Sequence, residues 1–407
     1  MWTKTFCLLF CLSSALALKD YKILELFPSN DHQSDLLHKL SEDSKFDFIK
    51  LTKSEAQVLV SPESHKVISS LLSKYGIGYK VVNNDVLADA IKESEENESS
   101  QERMGTDCYR SHGEINNWLD ELQAKYPQRV FVKQVGFSYE RRPLKTITIT
   151  NGDGRSGKKV IFVDAGMHAR EWISPSTGIY VIQQLVENFE ENKALLKDHD
   201  WIVMPMINAD GYEYTRSDPK NRMWRKTRQP YKTCAGVDPN RNFDYMFGHA
   251  GTSTLSCMDT YRGPQPFSEP ETSVLRDVLL SLKGRISFYL TLHSHGAYLI
   301  YPWGYDKVLA PNNDELQDVG QAGYDAIYAY SGRKYLVGNA AILMYPAAGA
   351  SDDYAYARAD ARISITMELP SGGKQGFDPP PSDIKPYVEE SWIGIVAMAN
   401  RVIAKYN

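Results

Sequence analysis

Short apolar segments alternate along the chain with longer segments in which apolar residues recur every three or four positions. The short segments are typical of buried strands, and the longer ones are typical of helices with one apolar face. Because the two kinds of segment take turns from residue 106 onward, the sequence predicts an α/β domain with a mixed central sheet flanked by helices on both faces. The predicted strands are residues 130–135, 145–150, 160–163, 201–207, 286–292 and 362–368, and the predicted helices are residues 109–126, 174–188, 268–283 and 386–406.

Residues 18–91 follow a different pattern and predict a small α+β domain of their own. They contain no cluster of His, Cys or acidic residues that could support chemistry. The pattern favours strands at residues 21–27, 46–51 and 79–82, and helices at residues 54–60 and 64–74.

Residues 93–103, ESEENESSQER, are acidic and polar and lack an apolar anchor. Such a composition is typical of a solvated connector that proteases can reach. The connector ends at Arg103, which offers a cleavage site for a trypsin-like protease. Asn97 begins an Asn-Glu-Ser tripeptide that could accept an N-glycan, and the sequence leaves its occupancy open.

Residues 1–17 have the features of a secretory signal peptide, with Lys4, an apolar run and a small-x-small ending at Ala17. The apolar run is too short to cross a bilayer, so we expect a secreted protein that has no membrane anchor. The formal net charge of −5 argues against nucleic acid as a partner, because that would need a concentrated basic face. The predicted boundaries are a signal peptide at 1–17, the small domain with its connector at 18–103, and the large domain at 104–407.

His168 and Glu171 lie three residues apart, just after the predicted strand 160–163, so both side chains can turn toward one point. A catalytic zinc site needs three protein ligands and one open position for water. The third ligand should follow another strand, because the carboxyl ends of strands gather functional loops at one edge of an open sheet. His293 follows the predicted strand 286–292, but His295 shares its face in extended geometry, so spacing alone leaves both open.

Several separated motifs follow one another along the large domain. They are His168-Ala-Arg170-Glu171, Asn221-Arg222-Met-Trp-Arg225, Val237-Asp238-Pro-Asn240-Arg241-Asn, His293-Ser, Tyr345 and Glu368. The same motifs stand in this order in zinc metallocarboxypeptidases of the pancreatic A/B type, and residues 108–406 resemble that family. The resemblance implies a secreted zymogen in which residues 18–103 are an activation propeptide that inhibits the catalytic domain, residues 104–407. It implies a monomeric exopeptidase that hydrolyses the C-terminal bond of peptides and proteins with a single Zn²⁺, held by a ligand set established for the family.

The resemblance also gives each of these residues a role. The ligands would be His168, Glu171 and His293, and Glu368, which shares a strand face with Thr366, would be the general base that takes a proton from zinc-activated water. A planar arginine fork suits a free carboxylate. Arg225 would stabilise the developing oxyanion, Asn240 and Arg241 would bind the terminal carboxylate, and Tyr345 would be a mobile cover. Arg170 and Arg222 would line the outer substrate groove unless they are ordinary surface charges, and Asp238 would accept the free ring N–H of His168. The resemblance also implies a disulfide between Cys234 and Cys257, which leaves Cys108 unpaired.

Counting onward from Tyr345, the residue at the base of the side-chain pocket falls on Asp352. In the family an acid at this position selects C-terminal Lys and Arg, so the resemblance implies a basic preference. If other groups of the protein pair with the Asp352 carboxylate, an aromatic or aliphatic preference stays open. A catalytically silent peptide-binding protein is a further alternative, although no metal ligand or general base is missing. The sequence departs from the family pattern at three places. His295 replaces an aromatic hydroxyl, which leaves the lining of the outer groove open, the loop between Tyr354 and Ile363 is one residue longer than usual, and residues 370–377, PSGGKQGF, replace the usual charged continuation after Glu368.

Overall fold

Two sheets of different size organise the chain. The structure is a computed structural model, and it describes residues 18–52, 54–99, 104 and 106–406. The predicted signal peptide and the predicted cleavage site at Arg103 lie outside the described residues.

The small domain contains a four-stranded antiparallel sheet with the strand order β2-β3-β1-β4. The predicted helix at residues 54–60 is wrong, because β3 lies there and pairs with β1 and β2. Its five residues are too few for periodicity to separate a strand from a helix, and pairing on both sides decides the outcome. The elements of this domain are β1 Lys22–Phe27, α1 Asp31–Leu40, β2 Asp47–Leu51, β3 Ala56–Val60, α2 Pro62–Lys74, β4 Gly78–Asn83 and α3 Val86–Ser99.

The large domain contains a mixed eight-stranded sheet flanked by helices, which confirms the predicted α/β class. The elements are α4 His112–Lys125, β5 Val130–Phe137, β6 Pro143–Ile149, β7 Lys159–Asp164, α5 Ile173–Val186, α6 Phe189–Asn192, β8 His199–Met204, α7 Ala209–Ser217, α8 Pro270–Ser281, β9 Ile286–Ser294, β10 Tyr298–Tyr301, α9 Asn313–Ser331, β11 Leu336–Asn339, α10 Ala340–Leu343, α11 Ser351–Ala357, β12 Ile363–Leu369 and α12 Pro381–Tyr406. The strand order is β11-β10-β12-β9-β7-β8-β6-β5.

The four central strands β12, β9, β7 and β8 are parallel to one another, so their carboxyl ends meet at one edge of the sheet. Every residue of β9 is buried, and in β7 only the first residue is exposed. Strands that are covered on both faces read as continuous apolar runs, which explains the pattern found in the sequence. The predicted ligands His168, Glu171 and His293 and the predicted base Glu368 therefore lie at the carboxyl ends of β7, β9 and β12.

The small domain packs against the large one through an apolar cluster that includes Ile49 and Val86 on one side and Met223 and Phe377 on the other. Helix α3 continues to Ser99, so residues 93–99 are helical, and although Glu95, Glu98 and Ser99 are exposed, the prediction of a solvated residue is wrong for Glu93. One acid within that polar run, Glu93, is 4% exposed and faces the large domain. Glu93 pairs with the buried Arg222, and the local composition could not reveal this contact.

Asn97 lies on α3 and joins the two sides of the segment that contains the predicted cleavage site. Its side-chain amide donates to the carbonyl of Tyr109 at 3.0 Å and accepts from the backbone N–H of Tyr109 at 2.6 Å. The candidate glycosylation residue therefore has a structural contact in the folded chain.

The predicted disulfide between Cys234 and Cys257 is present. The third described cysteine, Cys108, is a buried free thiol, and burial raises its pKa to about 11. Among the described helices, none combines the length and the apolar character needed to cross a membrane.

Candidate metal centre and substrate cleft

Three buried side chains meet at the carboxyl ends of β7 and β9. The loop after β7 carries His168 and Glu171, and β9 carries His293 near its end. The Nδ1 atom of His168 lies 2.7 Å from Oε1 of Glu171, and the Nδ1 atom of His293 lies 3.1 Å from Oε2 of the same carboxylate. The two Nδ1 atoms are 3.1 Å apart. Of the two histidines that spacing left open, the structure thus brings His293 to the centre.

The geometry around His168 fits a zinc ion. Its Nε2 atom lies 3.1 Å from Oδ1 of Asp238, which accepts the Nε2–H and leaves a lone pair on Nδ1. Two imidazole nitrogens and a carboxylate, all within 4.8 Å of one another, are a donor set that a catalytic zinc takes, with a fourth position left for water.

Asp238 connects the metal centre to two arginines. It accepts from Nη2 and Nε of Arg225 at 2.9 and 3.1 Å, and Arg241 Nη1 lies 4.0 Å away. Burial disfavours the charged carboxyl, but Arg225, Arg241 and His168 outweigh burial and hold the pKa of Asp238 well below its ordinary value. A permanently ionised Asp238 therefore fixes the tautomer of His168.

Glu368 lies beside the metal centre without belonging to it. In the parallel pairing of β12 with β9, Glu368 is the register partner of His293, so the two side chains leave the same face of the sheet. Burial is the main cause that raises the pKa of Glu368 to about 8, and the charge of Glu171 adds to it. A cation between the three ligands would favour the carboxylate form.

Arg225, Asn240 and Arg241 line the same cleft as the ligands. Asn240 and Arg241 belong to a short 3₁₀ turn, Pro239–Arg241, whose first N–H groups are capped by Asp238. Arg241 donates from Nε to the carbonyl of Gly251 at 2.8 Å, which fixes the direction of its guanidinium.

Asp352 lines the cleft and is 4% exposed. Its Oδ2 accepts from the hydroxyl of Thr366 and its Oδ1 from the backbone N–H of Asp353, both at 2.9 Å. The neighbouring Asp353 is not among the residues that line the cleft, and it accepts from the N–H groups of Gly304 and Tyr305. Within the described part of the chain, no cationic side chain pairs with Asp352.

The small domain closes the cleft from outside. Residues 47–51 of β2 form part of the cleft wall, and Asp47 accepts from Nη1 of Arg170 at 2.8 Å. Tyr345 packs against the small domain's core, with its ring edge-on to His38 at a centroid distance of 6.0 Å.

Arg222 does not line the cleft in this structure. It is 1% exposed, and Glu93 of α3 accepts from its Nε and Nη2. Its other hydrogen bonds go to the carbonyls of Arg170 and Phe377, both at 2.7 Å.

Two residues of the cleft wall escaped the sequence analysis. Asp259 lies 3.3 Å from Arg170 Nη1, and Phe377 places its ring under the same guanidinium at 4.7 Å. Asp259 lies shortly after Cys257 of the disulfide, and Phe377 is the last residue of the segment 370–377, in which the sequence departs from the family pattern. Neither residue can be recognised as part of the cleft wall until the fold is known.

Comparison with known proteins identifies the family of the chain. Residues 115–394 match the family described as zinc carboxypeptidase, and residues 24–93 match the carboxypeptidase activation peptide. Because the first match covers more than half of the chain, the chain belongs to the zinc carboxypeptidase family, and together the two matches show the layout of a carboxypeptidase zymogen.

Relatives of both named types are similar to the chain. Carboxypeptidase B of Astacus astacus is 39% identical over 75% of this chain and 100% of its own length. Zinc carboxypeptidase A 1 of Drosophila melanogaster is 35% identical over 97% of each chain. The crystal structure of carboxypeptidase A from Helicoverpa armigera superposes with a TM-score of 0.89 at 29% identity, covering 96% of this chain and 99% of that one.

Proposed function

We propose that the activated enzyme removes C-terminal Lys and Arg from peptides and proteins. The observation that carries this preference is Asp352, a buried carboxylate in the lining of the cleft whose hydrogen-bond donors among the described residues are neutral. Burying a charge without an opposite charge is costly, so the ammonium or guanidinium of a substrate would complete the pocket. The relatives include both A and B types, and an aromatic or aliphatic preference is therefore the competing hypothesis.

The chain's own residues support a hydrolytic reaction at the metal centre. His168, Glu171 and His293 would hold a single Zn²⁺, which when bound polarises the scissile carbonyl and lowers the pKa of water toward ~7. Glu368 would accept the proton of the attacking water on its carboxylate and deliver it to the leaving amine. Arg225, fixed by two hydrogen bonds to Asp238, would stabilise the negative charge that develops on the carbonyl oxygen.

Recognition of the chain end would come from Asn240 and Arg241, which we call the carboxylate clamp. A planar guanidinium binds a carboxylate through two parallel hydrogen bonds, and an internal peptide bond offers no such group. Tyr345 would cover the bound residue once it is released from its contact with His38.

The activation domain would inhibit the enzyme by covering the cleft. Residues 47–51 lie in the cleft wall, and Asp47 and Glu93 neutralise Arg170 and Arg222. A trypsin-like cut near Arg103 would start activation, and the features of residues 1–17 support secretion of the zymogen.

The test compares two substrates with the trypsin-treated protein. We expect furylacryloyl-Ala-Lys to be hydrolysed with a higher kcat/KM than furylacryloyl-Phe-Phe. Faster turnover of the Phe substrate would reject the basic preference, whereas hydrolysis of neither would reject the enzymatic function.

Two controls separate chemistry from binding. The Glu368→Gln variant keeps the size of the side chain and should retain zinc while losing about 10²–10⁴-fold in kcat, since it removes a general base. Chelation of the metal should abolish activity, and adding Zn²⁺ back should restore it.

A further inference from the structure

The side-chain amide of Asn97 and the backbone of Tyr109 form a pair of hydrogen bonds across the segment that contains the predicted cleavage site. The N–H of Tyr109 donates to Oδ1 at 2.6 Å, and Nδ2 donates to the carbonyl of Tyr109 at 3.0 Å. A backbone N–H can only donate and a carbonyl can only accept, so the amide has one orientation in this contact. We call these two hydrogen bonds the amide pair.

Tyr109 is fixed to the large domain by contacts that a cut at the predicted site does not touch. It is 1% exposed, its hydroxyl donates to the carbonyl of Pro379 at 2.6 Å, and its ring meets the ring of Trp172 edge-on at 5.4 Å. Its carbonyl also accepts from Nη1 of Arg216 at 2.8 Å. After the cut, Tyr109 would therefore stay in place as one side of the amide pair.

Asn97 holds the part of α3 that lies nearest to the predicted cut. Among the described residues 94–99, the hydrogen bonds to the large domain come from Asn97. The next anchor toward the start of the helix is Glu93, which pairs with Arg222. A new chain end frays back to the first residue that is held, because the last turn of a helix has few bonds of its own. In the cut chain that residue is Asn97.

The amide pair uses the hydrogen that N-glycosylation would replace. An amide that bonds an N–H and a C=O side by side donates the Nδ2 hydrogen that is cis to its own oxygen. In N-glycosylation a lipid-linked oligosaccharide diphosphate is the donor: a bond from the sugar carbon to Nδ2 forms, the bond from that carbon to the diphosphate breaks, and one Nδ2 proton is released. The product is a trans secondary amide, so the sugar takes the position cis to the oxygen. The amide pair and a glycan therefore need the same position on Nδ2.

We infer that Asn97 is a latch that modification opens: with a free amide it keeps the activation domain on the enzyme after a cut near Arg103, and with an N-glycan it does not. This inference rests on the proposed cleavage and on the proposed inhibition by the activation domain. The tripeptide at Asn97 is the one Asn-x-Ser/Thr acceptor in the sequence, so an N-glycan on this chain reports on Asn97.

The first experiment compares the full-length zymogen with Asn97→Ala and Ser99→Ala, all made in a host that does not glycosylate. Asn97→Ala removes the amide pair, whereas Ser99→Ala, in the same turn and exposed, removes the acceptor tripeptide and keeps the pair. Trypsin is added until mass spectrometry shows a complete cut between residues 97 and 109. Gel filtration then follows the activation domain that still elutes with the catalytic domain.

We expect release to be about 5–30-fold faster for Asn97→Ala than for the unaltered protein, since two neutral hydrogen bonds are lost. Ser99→Ala should stay within about twofold of the unaltered protein. Alanine favours a helix more than asparagine does, so faster release of Asn97→Ala could not come from a weaker helix. Equal release rates for the two variants would overturn the latch.

The second experiment uses a secretory host that glycosylates. The unaltered chain and Ser99→Thr, which keeps the acceptor tripeptide, are each separated on a mannose-binding lectin. Lectin-bound molecules should release the activation domain as fast as Asn97→Ala does. If they keep it as long as unglycosylated molecules do, or if neither protein carries a glycan, the role of modification is overturned.

Gel filtration does not depend on activity, so the latch and the proposed function are tested separately. If the released enzyme hydrolyses no substrate, the proposed function fails while the release rates still decide the latch. If trypsin makes no cut between residues 97 and 109, the proposed activation fails and the inference fails with it.

Discussion

The hydroxyl of Thr366 donates to Oδ2 of Asp352 at 2.9 Å, and Thr366 lies two residues before Glu368 on the same face of β12. One strand therefore orients the acid proposed to select the substrate and carries the residue proposed as general base. A shift in this strand would affect selectivity and catalysis together, whereas a change confined to the pocket should affect selectivity alone.

The charge of Asp352 should determine the preference for a basic terminus. Asp352→Asn keeps the shape and one acceptor but removes the charge, so we expect the ratio of kcat/KM for C-terminal Lys over Phe to fall about 10–100-fold, the range for hydrogen bonds to charged groups. Steady-state kinetics on the two furylacryloyl substrates measures the ratio. An unchanged ratio would mean that the substrate side chain does not reach Asp352.

The hydroxyl of Thr366 should contribute less than the charge, because it orients the carboxylate without pairing with the substrate. We expect Thr366→Val to lower the same ratio about 2–10-fold, and Thr366→Ser to restore it. If the serine variant is as poor as the valine variant, packing of the methyl group is responsible and the hydrogen bond is not.

The pair between Glu93 and Arg222 should hold the activation domain in place. Glu93→Gln leaves the guanidinium of Arg222 buried without its counter-charge, and breaking a buried pair in this way costs about 3–5 kcal/mol. Urea unfolding of the zymogen should show this loss, and the activated enzyme, once the activation domain has been released, should unfold as before. The exposed Glu95→Gln on the same helix is the control and should change little.

Glu271 gives a prediction for the pH dependence of stability. It is fully buried, Oε1 accepts from the N–H of Tyr139 at 3.0 Å, and Oε2 has no partner among the described residues. Burial raises its pKa from the ordinary 4.5 to about 8. Because the folded state binds this proton more tightly than the unfolded state, stability is lost as the pH rises from about 4.5 through about 8.

Glu271→Gln removes that penalty and keeps the acceptor for Tyr139. We expect the variant to be more stable than the unaltered protein by on the order of 1–3 kcal/mol at pH 8.5 and nearly equal to it at pH 4.5, as judged by thermal unfolding. The exposed Glu121→Gln should show no such trend. A gain of the same size at both pH values would rule out titration of Glu271 as the cause.

The sequence patterns could predict the fold class and the meeting of His168 and Glu171 with a histidine from the end of the strand 286–292. Both follow from short-range patterns, since buried parallel strands read as apolar runs and their carboxyl ends gather at one edge. Resemblance to the family, and not spacing, chose His293 over His295. The catalytic and binding roles assigned in this way stay predictions until the kinetics above are measured.

What the sequence could not predict are contacts between the two domains. Glu93 stands in a run of polar residues that is typical of a solvated segment, and only the packed structure shows that it pairs with an arginine 129 positions later. Asp47 and Arg170 are 123 positions apart, and no local pattern connects them. The same limit explains β3, where five residues fit either periodicity and pairing with β1 and β2 decides.

The disulfide between Cys234 and Cys257 encloses Asp238, Asn240 and Arg241 in one covalent loop. Closing a loop of this length restricts the unfolded chain by about 3 kcal/mol, and in the folded enzyme the bond ties together the two ends of the segment that carries these three residues. A thiol reductant would remove this tie from the segment that carries Asn240 and Arg241, the residues proposed to bind the terminal carboxylate. If they have that role, an enzyme altered in this way would begin to lose the distinction between the last peptide bond and those inside the chain.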